Sequence, residues 1–241
     1  MTALSGRLTK IAAQFEKGET MADIGTDHGF LPLYLWENSV CPKVIMTDIS
    51  SGSLDKAKEA FQRTIRTAGG KEPDIHFRLG DGLEPLEKGE VDTVVIAGMG
   101  GVLMTYILGH DVMKTLSLRN YILQPRNGSG KLRYWLDTAG FEIVSEALAP
   151  EGKFICEILT VKPPARISTF PSLNEYPDRI EYEMPRGLTR EDENLFKLYI
   201  NKKLNIEKVI LNAMIDGKSC DMEKKNRTED RIRFLEGKHG F

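Results

Sequence analysis

The stretch FEIVSEALAPEGKFICEILTV contains two β-rich runs, Phe141 to Leu148 and Phe154 to Val161, joined through Pro150, Glu151 and Gly152. So short a connection cannot carry a helical crossover, so the two strands must run antiparallel. Upstream, strand-like and helix-like segments alternate. A helix is expected from Leu4 to Phe15, and strands at Met21–Gly25, Lys43–Thr47, Ile75–Leu79, Val91–Ala97 and Asn120–Gln124, interleaved with helical segments. The run at Val91–Ala97 is too continuously apolar for an edge strand. A helix from Ser53 to about Thr67 should close at Gly69-Gly70, where positive φ costs little. Five parallel βα units ended by an antiparallel hairpin predict an α/β, Rossmann-like sheet that departs from a dehydrogenase sheet at its last two strands.

Downstream of the hairpin, Pro163-Pro164 breaks the alternation, and Pro171, Pro177 and Pro185 punctuate the segment after it. The division expected is residues 1–162 and 163–241. Thr189 with Asp192 forms a capping-box-like start, and Leu195, Tyr199, Ile206, Ile210 and Ala213 recur at helical spacing. Gly217 should end that helix, and a second is expected from about Asp221 to Leu235. Two such helices read as a hairpin packed as a coiled coil.

The 241 residues give ample length for a core, and 41% hydrophobic with 28% charged residues excludes a disordered or fibrous chain. Net charge is −2, divided as −3 up to Lys162 and +1 beyond. Taken whole, that balance argues against a cationic nucleic-acid coat. Position says more than the sum. Lys114, Arg119, Arg126, Lys131 and Arg133 lie between Asp111 and Asp137 with no acid intervening, and Lys197, Lys202, Lys203 and Lys208 load the first tail helix. Cys41, Cys156 and Cys220 lack metal-ligand spacing and are odd in number, so neither zinc nor structural disulfides are expected. No long apolar span or leader pattern occurs, so a cytoplasmic protein without membrane association is expected.

The loop after the first strand reads Asp23-Ile24-Gly25-Thr26-Asp27-His28-Gly29. Gly25 and Gly29 permit close backbone approach, but Asp27 stands where the dinucleotide fingerprint places its second glycine. A carboxylate there repels a pyrophosphate and suits a cationic ligand. S-adenosyl-L-methionine, with a sulfonium and an ammonium and no phosphate, meets that requirement. Asp48, ending the second strand, is placed to accept hydrogen bonds from ribose hydroxyls. Asp81-Gly82-Leu83 follows the third strand, where a carboxylate and an apolar side chain suit an adenine. Ile96-Ala97-Gly98-Met99-Gly100-Gly101 follows the fourth, and Gln124-Pro125-Arg126 ends the fifth at the sheet's ligand-binding edge. Each loop also admits a bland reading: a tight turn, a helix cap, or loop hydrogen bonding.

Taken together, Leu4-Ser5-Gly6-Arg7-Leu8, DIGTDHGFLP (Asp23 to Pro32), Asp81-Gly82-Leu83, IAGMGG (Ile96 to Gly101) and Leu123-Gln124-Pro125 resemble the bacterial TrmK family of tRNA adenine-22 N1-methyltransferases. The resemblance runs from Leu4 to about Val161 and implies a class I methyltransferase sheet, S-adenosyl-L-methionine, and a C-terminal coiled coil that helps grip tRNA. It places Asp23, Gly25 and Asp27 on the methionine side of the cofactor, Asp48 at the ribose, and Asp81, Gly82 and Leu83 at the adenine. Thr26, Ile49, Ala97, Gly98 and Met99 complete the expected cofactor site. Asp27, Met99, Gly100 and Gln124 form the expected catalytic set, and Arg7, Arg126, Lys131 and Arg133 the expected RNA-binding set. Gly29-Phe30 stands where the family often has Ala-Tyr, and Arg126 where it often has Asn.

Adenine N1 carries an in-plane lone pair, so its methylation needs alignment rather than a general base. N1 also lies on the Watson–Crick edge, so a paired adenine must open first. Alternatives are a small-molecule methyltransferase, since fold does not fix the acceptor, and an RNA-binding protein with a vestigial cofactor pocket. A monomer without metal is expected.

Overall fold

A computed structural model describes residues 2–68, 74–167, 171–188, 192–216 and 221–239. It comprises two compact units, Met1–Gly187 and Leu188–Phe241. In the first unit, α1 (Gly6–Ala12) precedes β1 (Met21–Ile24), α2 (Phe30–Glu37), β2 (Lys43–Asp48), α3 (Ser51–Ala68) and β3 (Asp74–Leu79). Then come β4 (Thr93–Gly100), α4 (Gly101–His110), the short α5 (Val112–Thr115), β5 (Asn120–Asn127), α6 (Ser129–Ala139), β6 (Glu142–Glu151) and β7 (Phe154–Lys162). The expected closure of α3 at Gly69-Gly70 lies outside the described residues.

The seven strands form one sheet in the order β3-β2-β1-β4-β5-β7-β6. The first five pair in parallel, and β7 runs antiparallel to both β5 and β6, as the short connection requires. Because strand side chains alternate, the central strands feed two cores. Ala22, Ile24, Val94, Ile96, Tyr121 and Leu123 pack on one face, and Met21, Val44, Met46, Val95 and Ile122 on the other. Both faces being buried explains the continuous apolar runs.

The strands extend further than their apolar runs. β4 continues through the glycine motif to Gly100 with register shifts beside Met99, and β5 continues through Pro125 to Asn127. A side chain at Gly101 would meet the Gly128 carbonyl oxygen at 2.5 Å, so this glycine lets α4 begin against the β5–α6 loop.

The first unit extends past Lys162. Arg133, fully removed from solvent, forms ion pairs with Glu146 and Glu157 at 2.6 Å each. Its Nη1 donates to the Tyr182 carbonyl, and Glu146 accepts the backbone N–H groups of Arg186 and Gly187. Tyr134 meets the rings of Tyr176 and Tyr182, and the Arg186 guanidinium lies over Tyr182 at 5.2 Å. The proline-punctuated segment therefore belongs to the sheet domain, and the division lies at Gly187 rather than Lys162. The prolines at the start of this segment interrupt secondary structure without ending the domain.

The second unit contains α7 (Glu193–Asp216) and α8 (Met222–His239), an antiparallel hairpin. Asp221 caps α8 by accepting the Lys224 N–H. Ile200, Leu204, Ile232 and Leu235 are buried, and the Arg231 guanidinium donates to Glu207 at 2.8 Å. The expected stripe holds at Tyr199, which is buried, and is corrected beyond it: Ile206 and Ile210 are exposed, and the buried side runs Tyr199, Ile200, Leu204 and Glu207. The hydrophobic periodicity misjudged it because Glu207 is buried by pairing with Arg231. Thr189 and Gly217 lie outside the described residues.

A chain ending at Lys162 should be less stable than one ending at Gly187, because Arg133 and Glu146 lose partners held out of water. The expected loss is about 2–4 kcal/mol, read as the difference between their urea-unfolding free energies.

Candidate functional site

The strand order reverses between β1 and β4, the position at which open α/β sheets leave a crevice at their carboxyl edge. A cavity of about 630 Å³ opens there, with Asp23, Gly25, Asp27, Ala97, Gly98 and Met99 in its wall. Those six expected residues are thus brought together. Arg7, from α1, joins them.

Gly25 takes φ +77°, and a Cβ there would fall 2.3 Å from Met99 Cε, so the thioether lies directly across its backbone. The Gly25 and Thr26 N–H groups both donate to the Thr47 carbonyl, tying the loop to β2. Thr26 is 1% exposed, which removes it from the cavity wall as an expected contact. Gly98 takes φ +76° with open space where a side chain would stand. Gly100 is not among the residues of this wall, and a Cβ there would meet Asn127 Oδ1 at 3.0 Å, a close approach that the missing side chain permits.

Asp27 is largely exposed, 2.8 Å from His28 Nδ1 and 3.7 Å from Lys56 Nζ. Asp23 differs. Burial pushes its carboxyl up to about 6 from 3.8, with Asp48 adding to the rise and Thr26 and Arg7 opposing it. Farther along the edge, Asp48 accepts the Ser50 N–H at 2.8 Å through Oδ1. Ile49 is exposed, as is Asp81, whereas Leu83 is 4% exposed within the core. Leu83 is therefore corrected from an adenine cover to a core residue, and Gly82 packs on Ile107.

Gln124 is buried, and both polar atoms of its amide are engaged. Its Oε1 accepts from Arg7 Nη1 at 2.9 Å and from the Gly98 N–H at 3.1 Å, while Nε2 donates to the Pro125 carbonyl. Gln124 thus acts as a positioning residue, correcting its expected catalytic role. Arg133 is likewise corrected: locked between two carboxylates, it cannot meet RNA. Lys114 donates to the Leu83 and Glu84 carbonyls and Arg119 pairs with Asp92, leaving Arg126 and Lys131 as the exposed cations of the acid-free segment with no such partner among the described residues.

Among the wall residues absent from the expected site set are His28, Phe30 and Glu151. The first two stack at 5.3 Å with 12° between ring planes, and their place in DIGTDHGFLP was the available signal. Glu151 comes from the distant β6–β7 turn, which no local pattern links to β1. Among the described residues no His, Cys, Asp and Glu cluster suits a metal ion.

Residues 4–159 match the family model described as a methyltransferase domain. The chain is 35% identical over 159 residues to the tRNA (adenine(22)-N(1))-methyltransferase of Bacillus subtilis, a match spanning 66% of this chain and 65% of that enzyme. It is also similar to the crystal structure of the B. subtilis m1A22 tRNA methyltransferase TrmK, with TM-score 0.79, 27% identity, and coverage of 99% and 100% of the two chains. A Streptococcus pneumoniae protein crystallised in complex with S-adenosyl-L-methionine gives TM-score 0.75 at 26% identity, covering 98% and 100%.

A carboxyl whose pKa is higher folded than unfolded contributes fully below its unfolded value, near 3.8 for Asp23, and loses that contribution as pH rises through about 6. Asp23→Asn should therefore stabilise the ligand-free protein by up to ~3 kcal/mol at about pH 8. The gain should vanish near about pH 4; urea unfolding at the two pH values measures both.

Proposed function

The chain belongs to the methyltransferase-domain family, and on that footing we propose that it transfers the methyl group of S-adenosyl-L-methionine to N1 of adenine 22 in tRNA. The observation that carries the reading is the pair Asp23 and Asp27 flanking Gly25 in one cavity wall at the end of β1. This wall disfavours phosphate and fits a cation. Burial of Asp23 outweighs the Thr26 hydroxyl and the Arg7 charge that favour its anion, and a bound ammonium would offset that cost. The B. subtilis relative, a tRNA (adenine(22)-N(1))-methyltransferase, supplies the acceptor in this reading.

S-adenosyl-L-methionine supplies an electrophilic methyl on a sulfonium. Asp23 and Asp27 would hold its cationic end, and Asp48 its ribose. Adenine N1 needs no proton removed, so the chain's task is alignment and exclusion of water. Gln124 performs part of it by fixing the Gly98 backbone and the Arg7 guanidinium from one oxygen. Exposed Arg126 and Lys131 are the cations offered to the RNA backbone.

The helical unit adds to that grip in this reading, although much of its basic charge is engaged within the hairpin. Lys197 pairs with Glu193, Lys208 with Glu236, and Lys203 lies over the Tyr199 ring at 5.2 Å. RNA phosphates would have to compete with those partners. No helix among the described residues is long and apolar enough to cross a membrane, and a monomeric cytoplasmic protein is the setting we assign.

Incubation with labelled S-adenosyl-L-methionine and bulk tRNA should yield N1-methyladenosine at position 22, mapped by mass spectrometry; label in any other nucleoside overturns the acceptor assignment. Because a cationic ligand binds the Asp23 carboxylate and not its acid, cofactor affinity should fall roughly tenfold per pH unit below about 6, and the Asp23→Asn variant should lose that slope in calorimetric titration. A chain ending at Gly187 should retain cofactor affinity and bind tRNA at least about tenfold more weakly at moderate salt, as read by filter binding.

A further inference from the structure

A second cavity, of about 410 Å³, opens beside the first and shares Arg7, Gly98 and Glu151 with it. Its position follows from the terminal hairpin. With β7 antiparallel to β5 (Leu123 opposite Leu159), the start of β7 is carried to the same carboxyl edge as the end of β5. There Glu151 pairs with Phe154 across the turn that Gly152 makes at φ +58°. The hairpin thus delivers one carboxylate and one aromatic ring to this cavity's wall.

The two side chains have capacity to spare. Phe154 is 64% exposed, an apolar face that a flat ligand would cover. Glu157, the other carboxylate in this wall, is held by Arg133 at 2.6 Å and Ser129 at 2.8 Å. Glu151 meets Arg7 Nε at 3.5 Å, one long contact, and its side chain is 36% exposed. Gln124 and Asn127 also bring amides to this wall, but the Gln124 oxygen is taken by Arg7 and the Gly98 N–H, and neither amide carries the negative charge that Glu151 does. Glu151 is also the acid in this wall that borders the first cavity.

We infer that the second cavity receives the extruded adenine, with its ring against Phe154 and its exocyclic amino group donating to Glu151. This assignment rests on the reaction proposed above and names its acceptor subsite. The amino group and N1 are neighbours on one edge of the ring. A carboxylate at the boundary between the cavities therefore accepts the first while the second faces the cofactor side. Guanine would turn its carbonyl oxygen toward the same carboxylate and be repelled. N1 methylation makes the ring cationic, with charge shared by the amino nitrogen, so Glu151 would bind the product-like state more strongly than the neutral base.

The test uses tRNA transcripts carrying either adenosine or purine riboside, which lacks the amino group, at the methylated position. With saturating cofactor, the parent should methylate the adenosine RNA roughly tenfold to a hundredfold more efficiently in kcat/KM. Glu151→Gln should lose that preference by slowing the adenosine RNA and sparing the purine RNA. Equilibrium binding of the two RNAs without cofactor should show the same preference in the parent and none in the variant. Phe154→Ala should raise KM for both RNAs alike, a second reading that holds even if Glu151→Gln fails to fold. Equal use of the two RNAs by the parent, an equal fall on both in Glu151→Gln, or an unchanged KM in Phe154→Ala overturns the subsite. A parent that leaves adenosine tRNA unmethylated removes the proposed reaction and the subsite with it, whereas the preceding outcomes remove the subsite alone.

Discussion

The first unit is held together by a guanidinium with no water around it. Arg133 sits between Glu146 and Glu157, and through them α6, β6, β7 and the segment ending at Gly187 share one charge cluster. Such a group is costly to bury, and loss of either carboxylate would leave uncompensated charge in the interior. Geometry is the gain. Glu157 also accepts the Ser129 hydroxyl at the start of α6, so the wall of the second cavity and the anchor of the connector to the helical unit are parts of the same network.

Around that anchor the glycines separate by task. Gly25 and Gly98 adopt positive φ beside the first cavity, where backbone must come near a ligand. Gly29, in the same wall at φ +66°, also packs on Ala57 and Met46, whereas Gly100 and Gly101 admit neighbouring structure: Asn127 at Gly100 and the Gly128 carbonyl at Gly101. In sequence the two kinds look alike, since both are glycines in βα loops. The distinction depends on what lies opposite, and that is set by segments far along the chain.

The same reason divides what was legible in the sequence from what was not. Strand identity, parallel order and the antiparallel ending were legible because period, apolar run length and the short connection are local properties. Asp23, Gly25, Asp27, Gly98 and Met99 were legible because the loops carrying them end adjacent strands. Arg133 was misread as a surface cation, since its two carboxylate partners lie 13 and 24 positions away. Gln124 was misread because its partners come from α1 and β4. Glu151 went unnoticed as a site residue, although the turn containing it was the clearest topological signal in the chain.

That turn has a further consequence. The cofactor side of the crevice is built from backbone in fixed conformations, with Met99 against Gly25 and the loop tied to Thr47, so few substitutions there leave the shape intact. The hairpin tip answers to different constraints. Gly152 and Lys153 span it, and Glu151 and Phe154 stand at strand ends with the sheet ladder behind them. Side chains at such a tip can be exchanged, or the loop lengthened, at small cost to the register of β6 and β7. On the reading that the second cavity takes the methyl acceptor, acceptor preference can be retuned at this tip without disturbing the half of the crevice built from the β1 and β4 loops.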